Sequence, residues 1–257
     1  MIEQLWLIPL GFAAGVLGSM IGLGGGIIVV PILTFFGFSP TLAASNSLFA
    51  AFSNAAASTI SYSRQKRIEY SLGLKLGLLT VPGTILGAYI SSDVTPEVFK
   101  ILFGFVLIAS AAYIFLRKKI ESREKNFSKQ MMIFAIGASF FAGIISAFFG
   151  IGGGIIFVPL MVVGMGMAMK KAAPTSQLIL LFASLSGVIV HTLLGHSDFL
   201  QGGLLSIGSF AGGLVGARLS ADIQEKFLRI LVSVVIIGAA IKMFFDSFSN
   251  NLHLINN

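Results

Sequence analysis

Cysteine is absent from the chain, which excludes disulfides, iron–sulfur clusters and thiolate metal sites and leaves the redox state of its compartment open. Charge is scarce as well. Asp, Glu, Lys and Arg make up 11% of the 257 residues, against about 25% in soluble domains, while apolar residues reach 56%. That balance excludes an ordinary soluble domain. Carboxylates are missing from the centres of the long apolar stretches, where they commonly hold cations or pass protons, so a cation carrier is disfavoured. No Walker-type lysine loop is present, which argues against an ATP-driven pump. The string Gly22-Leu23-Gly24-Gly25-Gly26 lacks the preceding strand and downstream acidic residue of a dinucleotide loop. No cluster of nucleophile, base or metal ligands falls within the apolar stretches, so neither an enzyme, a cofactor nor a metal is expected. The start Met1-Ile2-Glu3-Gln4 lacks the positive segment of a secretory signal, and no cleaved peptide is read there.

What is present is a series of apolar runs long enough to cross a hydrocarbon core of about 30 Å. They cover 4–37, 41–62, 72–91 and 98–116, then 131–163, 172–194, 200–219 and 227–245. The formal charge of +7 does not point to nucleic acid, because the basic residues sit in the short gaps between runs, as in cytoplasmic membrane loops.

The two sets of runs are copies. Residues 22–31 read GLGGGIIVVP and residues 150–159 read GIGGGIIFVP. Gly15 pairs with Gly143 at the same spacing, and Ala43-Ala44 pairs with Ala172-Ala173 after a one-residue shift. Gly83 and Gly87 pair with Gly212 and Gly216, and Lys100-Ile101-Leu102 with Arg229-Ile230-Leu231. A spacing held over half the chain marks a tandem duplication. The first repeat is placed at 1–120 and the second at 131–257, joined by a basic linker, 117–130.

Each half carries one long run and three ordinary spans, so the long run decides the topology. A single crossing gives parallel halves, and a hairpin gives inverted ones. The linker residues Arg117, Lys118, Lys119, Arg123, Lys125 and Lys129 belong on the cytoplasmic side. Inverted halves then put Arg64, Lys66, Arg67, Lys75, Lys170, Lys171, Arg218, Lys226 and Arg229 there too, leaving only Lys100 and Lys242 outside. Parallel halves collect fewer. The expected fold is therefore an all-α integral membrane protein of two inverted-topology repeats, each with three full spans plus a Gly-broken hairpin. Both termini face outward, and the protein is multi-pass in the plasma (inner) membrane. The arm 26–37 is only about 18 Å long as a helix, so irregular backbone must lie at membrane depth, which is tolerated only where it is buried in protein or lines a wet cavity.

Such breaks in inverted repeats mark binding sites in secondary transporters. Each triple glycine opens a half-helix, from Ile27 and from Ile155, whose first N–H groups lack intrahelical partners and suit an anion. Ser39-Pro40 reads as a cap and first-turn proline, and Pro174 takes a similar place. Just inside lie Ser45, Asn46, Ser47 and their counterparts Thr175, Ser176, Gln177. The substrate-binding set read from the sequence is thus Gly24, Gly25, Gly26, Ser45, Asn46, Ser47, Gly152, Gly153, Gly154, Thr175, Ser176 and Gln177, with no catalytic or metal residues. Gly15, Gly83, Gly87, Gly104, Gly143, Gly212 and Gly216 read as close helix packing, Lys75 and Arg218 as snorkelling boundary residues, and His191 as a satisfied interfacial histidine.

The duplicated G-x-GGG-x-x-x-VP element, followed about a dozen residues later by ASNS and APTS, resembles the sulfite exporter TauE/SafE family, also called the toluene sulfonate uptake permease group. The resemblance runs through both halves. It implies a carrier of small sulfur-containing oxyanions such as sulfite, thiosulfate or an organosulfonate, working by alternating access. A passive anion channel or a carrier of another small organic anion is the alternative. The expected partners are the small anion and the lipid bilayer, with no nucleic acid; homo-oligomerisation is left open.

Overall fold

A computed structural model describes residues 4–92, 94–116 and 129–221, with 237, 238 and 241 beyond them. The linker expectation and the run 227–245 fall largely or wholly outside these residues. The described chain is helical: α1 (Leu7–Ile21), α2 (Gly26–Phe35), α3 (Pro40–Arg64), α4 (Tyr70–Ser92), α5 (Pro96–Leu116), α6 (Lys129–Phe149), α7 (Gly154–Pro159) with a π-helical extension (Leu160–Gly164), α8 (Met169–Leu193) and α9 (Phe199–Leu219). Four of these helices are long and apolar enough to cross a bilayer: Tyr70–Ser92, Gln130–Phe149, Met169–Leu193 and Phe199–Leu219. Large apolar side chains such as Leu78, Tyr89, Phe105, Phe134, Phe141 and Ile207 point outward, an arrangement suited to lipid rather than water.

α3 is the least apolar long helix, rich in Ala, Ser and Asn, and it is among the most buried. With α8 it forms the centre of the bundle. Around this pair, α1 packs on α9 and α6 on α4, while α9 also packs on α3 and α4 on α8. Six of the seven glycines expected to pack do so. An added Cβ at Gly83, Gly87 or Gly143 would meet backbone across the α4–α6 seam, and one at Gly15, Gly212 or Gly216 would do so across α1–α9. Backbones come this close because small residues let membrane helices approach without a side-chain layer.

Directions follow from the cross-links. Thr41 and Ser45, at the start of α3, bond to Ser91 at the end of α4 and to Ser197 beyond the end of α8. Gln65 and Arg67, just beyond α3, reach Ala217 at the end of α9 and Lys170 at the start of α8. α3 and α8 are therefore antiparallel, as are α4 and α9. α1 and α2 form a hairpin whose outer ends meet, with the Trp6 and Phe36 rings 4.6 Å apart.

Two local features follow from the sequence. Ser39 does precede α3 with Pro40 in its first turn, although its hydroxyl makes no cap bond. Pro174 is a correction: α8 begins at Met169, the counterpart of Pro40, so Pro174 lies inside the helix. A proline there frees the carbonyl four residues back, and the Arg67 guanidinium takes it, Nε donating to Lys170 O at 2.9 Å. The one-residue shift between the halves also has a physical place. It arises between Pro159 and Ala172, where the π-helical extension, with Met165 N–H bonding to Leu160 O, uses one residue more per turn than an α-helix.

Candidate functional site

The two glycine turns lie against each other, running antiparallel. A Cβ on Gly26 would strike Gly150 O, and one on Gly154 would strike Gly22 O. Gly24 and Gly152 both face Leu180, and Gly152 faces Ala51, residues near the middles of α8 and α3. Gly22, Gly24, Gly150 and Gly152 all hold positive φ, between 74° and 80°, the left-handed region where glycine carries no Cβ penalty. The expected six glycines are thus brought together at mid-bundle, with no room for side chains at Gly26 and Gly154.

Serines stitch the turns to the central helices in matching fashion. Ser47 Oγ donates to Gly150 O at 2.8 Å, and Ser176 Oγ donates to Gly22 O at 2.7 Å. Gln177, also buried, donates from Nε2 to Gly18 O at 2.9 Å, while its Oε1 meets no donor. Its counterpart is Leu48, so this contact exists at one turn only. Among the described residues no acceptor meets the N–H groups of Gly24, Gly25, Gly26 and Ile27, nor those of Gly152, Gly153, Gly154 and Ile155. Ser146, behind the second turn, has a buried hydroxyl without a partner, and its Cβ lies near Gly153. What the site offers is backbone donors, a hydroxyl and one amide oxygen, with no fixed charge.

The other expected residues sit further out. Asn46 Nδ2 donates to Gln201 Oε1 at 2.8 Å and its Oδ1 accepts from Asp198 N–H. Thr175 Oγ1 accepts from Glu69 N–H at 3.0 Å and donates to Lys171 O. Ser45 bonds Ser197. Asn46 and Thr175 therefore do equivalent work, each fastening the chain that enters the next helix of the opposite half. The second half-helix is shorter than the first, six residues of α7 before the π-helical extension against ten in α2.

Sequence reasoning missed Ser146, Tyr62 and His196. Tyr62 Oη donates to Ser19 O at 2.9 Å, and His191 Nε2 meets Ala147 O at 2.9 Å, again at equivalent places. His191 is 0% exposed and hydrogen-bonded in the last turn of α8. A buried polar side chain near each helix end was the available signal for this pair.

A helical bundle with several long apolar helices and lipid-suited outer faces belongs to the class of multi-pass membrane proteins. Comparison with known proteins is more specific: the chain belongs to the sulfite exporter TauE/SafE family, whose model matches residues 7–243. It is 29% identical to the probable membrane transporter protein YunE of Bacillus subtilis, covering 93% of this chain and 97% of that one. A probable membrane transporter protein of Methanocaldococcus jannaschii is 28% identical over 91% of this chain and 94% of its own. The probable membrane transporter protein YfcA of Escherichia coli K12 is 25% identical, with 93% and 88% covered. No solved structure matches significantly.

Proposed function

We propose that the chain is a secondary transporter of small sulfur-containing oxyanions, with two inverted repeats that rock about the paired glycine turns. The observation that carries this reading is the set of unpaired N–H groups at Gly24–Ile27 and Gly152–Ile155, held at mid-bundle between two helical hairpins. An anion there gains hydrogen bonds that nothing else supplies, and glycine lets it approach the backbone. The lack of a fixed cation suits a cargo that must also leave. Gln177 Oε1 and Ser146 Oγ serve the water or hydroxyl groups that accompany the anion, which lowers the cost of dehydrating it.

The charge distribution supports an orientation in the plasma membrane. Arg64, Lys66, Arg67, Lys75, Lys170, Lys171 and Arg218 gather at the bundle end formed by the C-termini of α3 and α9 and the N-termini of α4 and α8. Under the positive-inside rule that end faces the cytoplasm, and the α8–α9 loop faces out, with both chain termini.

Radiolabelled sulfite, thiosulfate and 2-hydroxyethanesulfonate, offered to proteoliposomes for uptake and counterflow, test the proposal. Saturable uptake with counterflow of at least one anion is expected. Flux without counterflow would make the protein a channel, and no flux of any of them would end the substrate assignment.

A further inference from the structure

Residues 62 and 191 occupy equivalent places in the two halves, and so do residues 67 and 196. At one end of the bundle the Arg67 guanidinium lies 5.2 Å from the Tyr62 ring centre. At the other the His191 and His196 rings are 5.3 Å apart, with Nδ1 facing Nδ1 at 3.1 Å. Both inner members reach the carbonyl of the residue three positions before the first glycine of the turn, Ser19 or Ala147. One end therefore carries a permanent cation, and the other a pair that titrates.

The hydrogen bonds fix how a proton is taken up. His191 Nε2 faces a carbonyl oxygen, so it carries hydrogen, and in the neutral pair His191 Nδ1 is the acceptor. His196 Nδ1–H is then the donor, and its Nε2 is free to accept from the exposed Ser92 hydroxyl at 3.4 Å. A proton arriving at His196 Nε2 forms an N–H bond there. The Nδ1–H bond of His196 stays intact and still donates to His191 Nδ1. The net result is an imidazolium at His196, the less buried ring, hydrogen-bonded to a neutral His191 that is held by the Ala147 carbonyl. Proton count and charge both balance, with one proton and one positive charge gained by the pair.

We propose that His191 and His196 form a proton-binding site on the external approach, loaded when an anion enters from that side. The inference rests on the anion-transporter reading. Among the described residues, neighbouring groups leave the pair to itself. From α4 it meets Ser92, and from α6 the Ala147 carbonyl. The Asp198 carboxylate is turned to the N–H groups of Leu200 and Gln201. Glu97 and Lys100, on α5 at the same end, make no hydrogen bond or ion pair with either ring. Burial holds His196 below the ordinary histidine range, so loading belongs to the acid side of neutrality.

The test uses 2-hydroxyethanesulfonate, whose own charge does not change over the pH range. Entry from the histidine face is expected to rise about tenfold as pH on that side falls from about 8 to about 6, while pH on the other face changes entry by less than about twofold. His191→Gln and His196→Gln should flatten the dependence, and His196→Arg should leave entry fast and pH-independent, as a fixed charge there would. Variants that retain the wild-type slope would overturn the proposal. If no anion moves at all, the transporter reading fails, and nitrogen-15 histidine NMR of the His253→Gln protein still decides the pair. One shared proton, with His191→Gln shifting the His196 titration, is expected; two independent titrations overturn it.

Discussion

Gly25 and Gly153 stand at the same place in the two glycine turns and adopt opposite backbone conformations, φ −76° at one and +84° at the other. The turns themselves are nearly identical in sequence, so the cause lies behind them. Gly18 backs the first turn so closely that a Cβ there would meet the Gly24 carbonyl carbon at 2.5 Å and Gly25 N at 2.6 Å. Its counterpart is Ser146, which has a Cβ. The second turn cannot follow the same path, and Gly153 swings into the left-handed region. Two half-sites that look equivalent as motifs thus differ in shape and in chemistry. The first is sealed onto α1 and faces Gln177; the second stands off α6 and faces an unpartnered hydroxyl on the side of the histidine pair.

The sharpest way to break the comparison is to fill what both turns share. Gly26→Val and Gly154→Val push side chains into the carbonyls of Gly150 and Gly22, where backbone cannot yield, so each should cost more than about 3 kcal/mol and abolish folded protein on detergent gel filtration. Gly18→Ser copies the second half into the first. It should cost about 3 kcal/mol, the upper end for overpacking, because it meets backbone rather than a movable side chain. Normal thermal stability for this variant would refute the account of why the turns differ. Below these comes alanine at the diverging position. Gly153→Ala carries the left-handed penalty of about 1–2 kcal/mol, which Gly25→Ala escapes; equal melting shifts would show that the two backbones do not differ. Ser47→Ala and Ser176→Ala each remove one buried donor and should cost about 1 kcal/mol apiece, alike within error, since their bonds are symmetric.

The motifs and the chain breaks at the glycines were legible because they rest on local rules: glycine runs interrupt helices, proline opens them, and basic residues avoid the interior. Ser39-Pro40 marks the start of α3 for that reason. Pro174 misleads because the second half starts its helix on Met169, an ordinary residue with no signal, and only Arg67, from the opposite half, makes an interior proline tolerable there. Asn46 and Thr175 look like site residues by spacing, yet their partners are Asp198 and Glu69 at the start of the opposite half's next helix, a pairing that no single segment reveals. Ser146 sits in an apolar run, and His196 sits in a loop. Their meaning depends on what the other repeat brings beside them.

Gln177 gives the smallest structural effect and the most selective functional one. It is the place at the first turn where a polar side chain of one half has an apolar counterpart, Leu48, in the other. Gly18 O already accepts from the N–H groups of Gly22 and Leu23, so losing Nε2 does not orphan it. Gln177→Leu also removes an oxygen that has no donor. Replacing an imperfectly paired polar group by an apolar one of similar shape is close to neutral, so the melting temperature should correspond to a change of less than about 1 kcal/mol. Transport should respond differently. If the oxygen holds the water that accompanies the anion at the first turn, the half-saturating concentration of the transported anion rises severalfold while the variant stays fully folded. A folded variant with wild-type transport would remove Gln177 from the site and leave the first turn to its backbone donors alone.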